Sequence, residues 1–223
     1  MKKIYDKSAM AILPYGNNIV FVAAEKEVDG KFIVSYKMYD FQEDAVTQVR
    51  RSTYLEAKFG DDFLYYSKLF PDFINYKCSK LPNERLIAIY PNGDAAIFDK
   101  HNEIVWEGTL KYRNCGPSGV VCIDNSVWVS FPDGDTILRY NADTMREELR
   151  IGSQKDNAFS KPRGLWCDGK KLIVCNSAGK CIESVDTSSY VVEKFAQFDE
   201  PVYQYVKCGL FEVVLLDSGI YLV

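Results

Sequence analysis

The chain has 223 residues, 47% of them hydrophobic, with 15 tyrosines and 13 phenylalanines, which is ample material for a packed core and argues against disorder. Its formal net charge is -4 and its pI is about 5.2, with no basic cluster larger than Lys111 and Arg113, so it lacks the electrostatic footprint of a nucleic-acid binder. No apolar run approaches the ~20 residues of a membrane span, and neither a secretory leader nor a lipidation box is expected, which makes a cytoplasmic protein without membrane partners the default expectation.

In chain order, the first expected element is a spare extended segment, Lys2–Asp6. A loose hairpin follows over 19–36, IVFVAAE-KEVDG-KFIVSY, with its turn at Asp29-Gly30. Residues 54–70 break the pattern. There Leu55, Phe59, Phe63, Tyr66 and Phe70 recur at three- and four-residue steps, which predicts an inserted amphipathic helix, weakened at Gly60. It reads either as a cap packed on the fold or as a lid or partner-binding element.

Four sharper hairpins follow, over 86–98, 127–140, 172–185 and 213–223. Each is an apolar run, a Gly-bearing turn and a second β-rich run, as in Pro91-Asn92-Gly93-Asp94 and Pro132-Asp133-Gly134-Asp135. Such turns supply the positive φ of tight hairpins. Upstream of each lies a second marker: Pro71-Asp72-Phe73, Pro117-Ser118-Gly119, Pro162-Arg163-Gly164 and Pro201-Val202-Tyr203. The prolines are 46, 45 and 39 residues apart, and the turn glycines follow them at 22, 17, 17 and 18. Two markers in step at a period of ~40–45 residues predict four-stranded blades.

The fold class expected is therefore all-β: a five-bladed β-propeller with one helical insertion around 54–70. The expected blades run over approximately 8–53, 71–111, 116–153, 161–197 and 200–223 plus 1–7, as one domain. The last blade lacks a fourth strand at its C-terminal end. Pairing with Lys2–Asp6 would complete it and cover a sticky edge.

Pro162-Arg163-Gly164-Leu165-Trp166-Cys167-Asp168-Gly169 followed by Leu172-Ile173-Val174 resembles the blade opening of NHL and SMP-30/gluconolactonase-like propellers, as does Pro117-Ser118-Gly119 with Val127-Trp128-Val129. The resemblance covers mainly 117–185. It implies a scaffold that hosts ligases, lactonases, lyases and pure binding modules. Its lactonase branch holds a divalent cation at the ring's centre through carboxylates and amides. Ser118 and Arg163 stand where that branch often places Asn or Asp, and Asp72 is the one acid at an equivalent step. No metal site is expected here, and Ca²⁺ or another divalent ion belongs only to a lactonase-like alternative.

A single histidine, His101, argues against nucleophilic triads, and it falls in a polar turn between third and fourth blade strands. The seven cysteines are odd in number and contain no C-x-x-C. Cys175 and Cys181 flank a turn, so a disulfide or thiolate pair is one reading and ordinary packing the other. Cys122 and Cys167 sit at equivalent steps after their prolines and read as packing residues. Asp94, Asp133, Asp135 and Asp217 read as turn formers rather than calcium ligands.

Loops entering first strands and loops joining second to third strands share one face of a propeller. That face would carry Asp72, Arg113, Asn114, Cys115, Ser118, Asp133, Arg163, Asn176, Tyr203 and Asp217. Asp72, Arg113, Asn114, Ser118, Arg163, Asn176, Tyr203 and Asp217 are the expected ligand-binding set. The function expected is a non-catalytic binding propeller for a protein, peptide or small polar ligand, in an oligomeric state left open. The alternative is a divalent-metal hydrolase with its site at the ring's mouth. A sugar-binding ring ranks last, because the loops differ from copy to copy.

Overall fold

A strand pressed between two sheets must be apolar on both faces, so it reads as a continuous run rather than an alternation. The runs Leu86–Ile89, Val127–Phe131, Leu172–Cys175 and Val213–Leu216 have that character. The computed structural model describes residues 1–28, 31–155 and 158–223. Residues 1–74 with 204–223 form one compact unit, and residues 75–203 form another.

The first unit opens with β1 (Lys2–Tyr5). A four-stranded antiparallel sheet follows, made in order of β2 (Ala9–Tyr15), β3 (Asn18–Val28), β4 (Lys31–Asp40) and β5 (Ala45–Gln48). The turn expected at Asp29-Gly30 between β3 and β4 lies outside the described residues. The insertion then forms α1 (Arg51–Phe59), a single 3-10 turn (Gly60–Asp62) and α2 (Phe63–Leu69).

The insertion thus begins three residues earlier than the expected 54, and it is two helices instead of one. Arg50 precedes α1 without a side-chain capping bond, so no Ser or Asp marks the start. Gly60 has φ of 71°, a left-handed conformation that stops α1. The break shifts the apolar stripe. Leu55, Phe59, Tyr66 and Phe70 are buried, while Phe63 is only partly so. α1 packs on β2, β3 and β4. Tyr54 meets the rings of Tyr36 and Phe73 at 5.6 and 6.1 Å, and Tyr15 Oη donates to Glu56 at 3.0 Å.

The second unit holds three such sheets, each paired in sequence order. They are β6 (Lys77–Leu81), β7 (Arg85–Ile89), β8 (Asp94–Phe98) and β9 (Ile104–Thr109); β10 (Gly119–Ile123), β11 (Ser126–Phe131), β12 (Thr136–Asn141) and β13 (Glu147–Ile151); and β14 (Pro162–Asp168), β15 (Lys171–Asn176), β16 (Cys181–Asp186) and β17 (Val192–Gln197). Within it, β11 shows how a blade is packed. Val127, Val129 and Phe131 join Ile87, Ile89 and Ile97 of the preceding sheet. Trp128, between them in sequence, packs with Leu172, Val174 and Val185 of the following one. Successive residues therefore serve two cores, and each large side chain so buried stabilises by about 1.5–3 kcal/mol. The fourth strands β9, β13 and β17 are mostly exposed.

The fifth sheet belongs to the first unit and contains β18 (Val202–Cys208), β19 (Phe211–Leu216) and β20 (Gly219–Leu222). Its fourth strand is β1, giving the order β1-β20-β19-β18, with Lys2 facing Leu222 and Lys3 facing Tyr221. The expected completion of the last blade by the N-terminal strand is thus present. Tyr5 anchors it, with its ring 4.8 Å from that of Phe21. Five four-stranded antiparallel meanders and one helical insertion give the fold class of a five-bladed β-propeller.

Candidate functional site

A cavity of about 350 Å³ opens in the second unit. Its walls come from the starts of three first strands and from two hairpin turns. Asn75 and Lys77 lead into β6, Gly116, Pro117 and Ser118 into β10, and Arg163 lies near the start of β14. Pro91 comes from the β7–β8 turn, and Pro132 and Asp133 from the β11–β12 turn. Three prolines in the wall fix φ and offer no N–H, so polar recognition there falls to side chains.

Arg163 is firmly placed. The register between β14 and β15 shifts between Pro162 and Leu165, a bulge that re-aims the residues it contains. The Arg163 carbonyl accepts from the buried Ser130 hydroxyl at 2.5 Å. A side chain at Gly119 would collide with that same carbonyl, so glycine is needed for β10 and β14 to approach. The guanidinium Nε donates to Ser177 Oγ at 3.2 Å, and the group lies over the Tyr203 ring, 5.6 Å from its centre. Ser177 Oγ in turn donates to the Lys161 carbonyl at 3.0 Å.

Lys77 sits at the first position of β6, opposite Ile89. Burial pushes its pKa below the ordinary lysine value, Cys78 opposes that push, and the positive charge of Arg163 adds to it. Its side chain is still reachable from the cavity, being partly accessible although protein crowds it. Among the described residues, neither Lys77 nor Arg163 has an acidic partner. The acid in the wall, Asp133, has a side chain 73% exposed and faces Lys161 at 4.0 Å.

Of the expected ligand-binding set, Ser118 and Arg163 line the cavity, and Tyr203 supports Arg163. Asn176 is buried, with its amide committed inside the sheet. It donates to Glu183 at 2.6 Å and accepts from the Ser160 N–H at 3.3 Å. Arg113 and Asn114 form an exposed turn, at φ of 47° and 69°, closed by the Tyr112–Cys115 bridge. Asp72 and Asp217 belong to the first unit and are exposed, in the turn after α2 and in the β19–β20 turn.

Lys77 is absent from the expected set because the Pro71 marker is out of step. Pro71 lies six residues before β6, whereas Pro162 begins β14 and Pro117 lies two residues before β10. Asp72 is therefore not the counterpart of Ser118 and Arg163. The signal was the interval itself: 22 residues from Pro71 to Gly93 against 17 or 18 elsewhere, a surplus of four or five that the turn over 71–75 absorbs.

Chemistry elsewhere is sparse. His101 lies in the β8–β9 turn, at the opposite end of its sheet from the cavity-lining β7–β8 turn. Among the described residues no three His, Cys, Asp or Glu side chains form a metal-binding group. All seven cysteines are free. Cys175 pairs with Ile182, and Cys181 with Asn176, so the two thiols point to opposite faces of one sheet and a disulfide is ruled out by parity. Burial pushes the Cys122 thiol up to about 11 and raises that of Cys167, and the two donate equivalently to Asp124 and Gly169 carbonyls at 3.3 Å.

No family model matches the chain, and no curated protein matches it in sequence. Solved structures do. Virginiamycin B lyase from Staphylococcus aureus superposes over 96% of this chain with a TM-score of 0.54 and 13% identity. A structure of U3-55K superposes over 97% with a TM-score of 0.55 and 8% identity, and the computationally designed Ika4 protein over 66% with 0.52 and 13%. The chain spans 65% of the lyase, 61% of U3-55K and 88% of Ika4. At these identities the likeness bears on fold alone, and the fold it supports is the propeller.

Proposed function

We propose that this chain is a non-catalytic binding propeller, whose cavity in residues 75–203 takes a small polar ligand or the polar tip of a peptide. The observation that carries this reading is the convergence of three strand entries and two hairpin turns on one cavity, with Ser118, Lys77 and Arg163 in its wall. The volume falls within the range of small-molecule sites, roughly 300–1,000 Å³. Among the described residues the wall holds no histidine and no cysteine, and its one acid, Asp133, is exposed. The P-x-G openings at Pro117 and Pro162 support kinship with NHL and SMP-30-like propellers. Seven free thiols suit a reducing compartment, which supports a cytoplasmic location.

The test is a thermal-shift panel of sugars, amino acids, nucleotides and organic acids, run on the chain and on Ser118→Trp, which fills the cavity. A ligand that raises the melting point of the parent and not of the filled variant is the expected result. Stabilisation that Ser118→Trp retains would place the binding elsewhere and refute the reading.

A further inference from the structure

Two cations share the wall of the cavity, and no acid within the described residues neutralises either one. Asp133, the acid nearby, is turned to solvent and faces Lys161. Arg163 engages a protein hydroxyl only through Nε, which leaves its two terminal nitrogens available as a fork. Ser118 uses its N–H on the Ser130 carbonyl at 2.9 Å and keeps its hydroxyl unengaged. A partly buried, unpaired ammonium is costly to the free protein, and a bound anion offsets that cost. The rest of the wall sets three prolines and Gly116 beside the polar side chains of Asn75 and Asp133.

We infer that the ligand is a small organic anion, its carboxylate or phosphate group held between Lys77 Nζ and the terminal nitrogens of Arg163, with Ser118 Oγ as a further donor. The inference rests on the binding reading above and specifies the ligand class. Arg163 supplies the bidentate geometry that suits a planar or tetrahedral oxyanion, and Lys77 supplies a second charge. The cavity is larger than a free inorganic anion requires, so the oxyanion is one end of the ligand, and the remainder packs on Pro91, Pro117 and Pro132.

Matched probes test this by titration calorimetry on the whole chain: succinate against succinamide, and glucose 6-phosphate against glucose. The expected result is binding of at least one charged member and none of its neutral counterpart at about 10 mM, a concentration that reveals even millimolar ligands. The pair that responds tells carboxylate from phosphate. Lys77→Met and Arg163→Gln should each weaken the bound anion about 10- to 100-fold, while Lys77→Arg retains most of the affinity. Circular dichroism on each variant confirms that the sheets are intact.

Equal binding of charged and neutral members, or unchanged anion affinity in both charge-removing variants, overturns the inference. So does the absence of binding by either anion. If a neutral ligand from the wider panel binds and is lost in Ser118→Trp, the binding reading survives and only the anion class is wrong.

Discussion

The guanidinium of Arg163 lies 5.6 Å from the centre of the Tyr203 ring while its Nε donates to Ser177 Oγ at 3.2 Å, so one face and one edge of the group are fixed before any ligand arrives. An arginine held in this way loses less rotamer freedom on binding than a free one. Tyr203→Leu removes the ring and keeps the bulk. The contact is worth about 0.5–1 kcal/mol, so affinity for a cavity ligand should fall roughly two- to fivefold with little change in melting point. Calorimetry against the parent chain reads both.

Lys77 is a stability liability in the free protein. Replacing its crowded ammonium with the isosteric apolar chain of Met should stabilise the fold by about 1 kcal/mol, a rise in melting point of about 2–4 °C. The same substitution should reduce ligand-induced stabilisation in step with the weaker binding. Differential scanning calorimetry with and without ligand separates the two effects, and a Lys77→Met variant less stable than the parent would remove the cost assigned to this charge.

The completed fifth sheet depends on a close approach. Gly219 has φ of 139°, and a Cβ there would meet the Tyr5 carbonyl, with the Tyr5 carbon at 3.1 Å and Asp6 Cα at 3.4 Å. Gly219→Ala should therefore loosen β1 from β20 and cost about 2 kcal/mol or more. Hydrogen exchange should show lost protection at Lys2–Tyr5 ahead of the other sheets, and light scattering should show association through the freed edge.

Glu183 gives a pH signature. Burial raises its pKa above the ordinary 4.5, against the opposing pull of the Asn176 amide and Lys194. The native state then keeps a proton that the unfolded chain has released, so stability falls as pH rises from 4.5 to the raised value. Glu183→Gln still accepts from Asn176 and cannot ionise. Its urea midpoint should show a smaller fall between pH 4 and pH 7 than the parent's, and parallel profiles would argue against a burial cost at this carboxylate.

The blade pattern was readable because its determinants are local. Pro117, Pro162 and the turn glycines mark positions where the backbone itself has few options, and β7, β11, β15 and β19 are apolar because sheets must cover both their faces. The β1–β20 pairing was readable from a missing strand at one end and a spare one at the other. The start of α1 was not, because Arg50 caps nothing and the helix is held by the Tyr54–Phe73 and Tyr36–Tyr54 contacts, which no sequence rule shows. Half of the site was equally hidden. Arg163 and Ser118 follow their prolines in register, but Lys77 comes after a five-residue excursion from Pro71, and only the irregular interval to Gly93 betrays it. Asn176 illustrates the converse: a turn-adjacent amide looks available until Glu183 and Ser160 are seen to occupy it.

With Lys2 directly across from Leu222 in the fifth sheet, the described chain ends lie about 5 Å apart at that pair, the spacing of neighbouring strands. A linker of a few residues would join them, and the chain could then be reopened at the exposed Gly169-Lys170 turn. Such a circular permutant should fold, because the order in which the blades are written is secondary to which strands they pair.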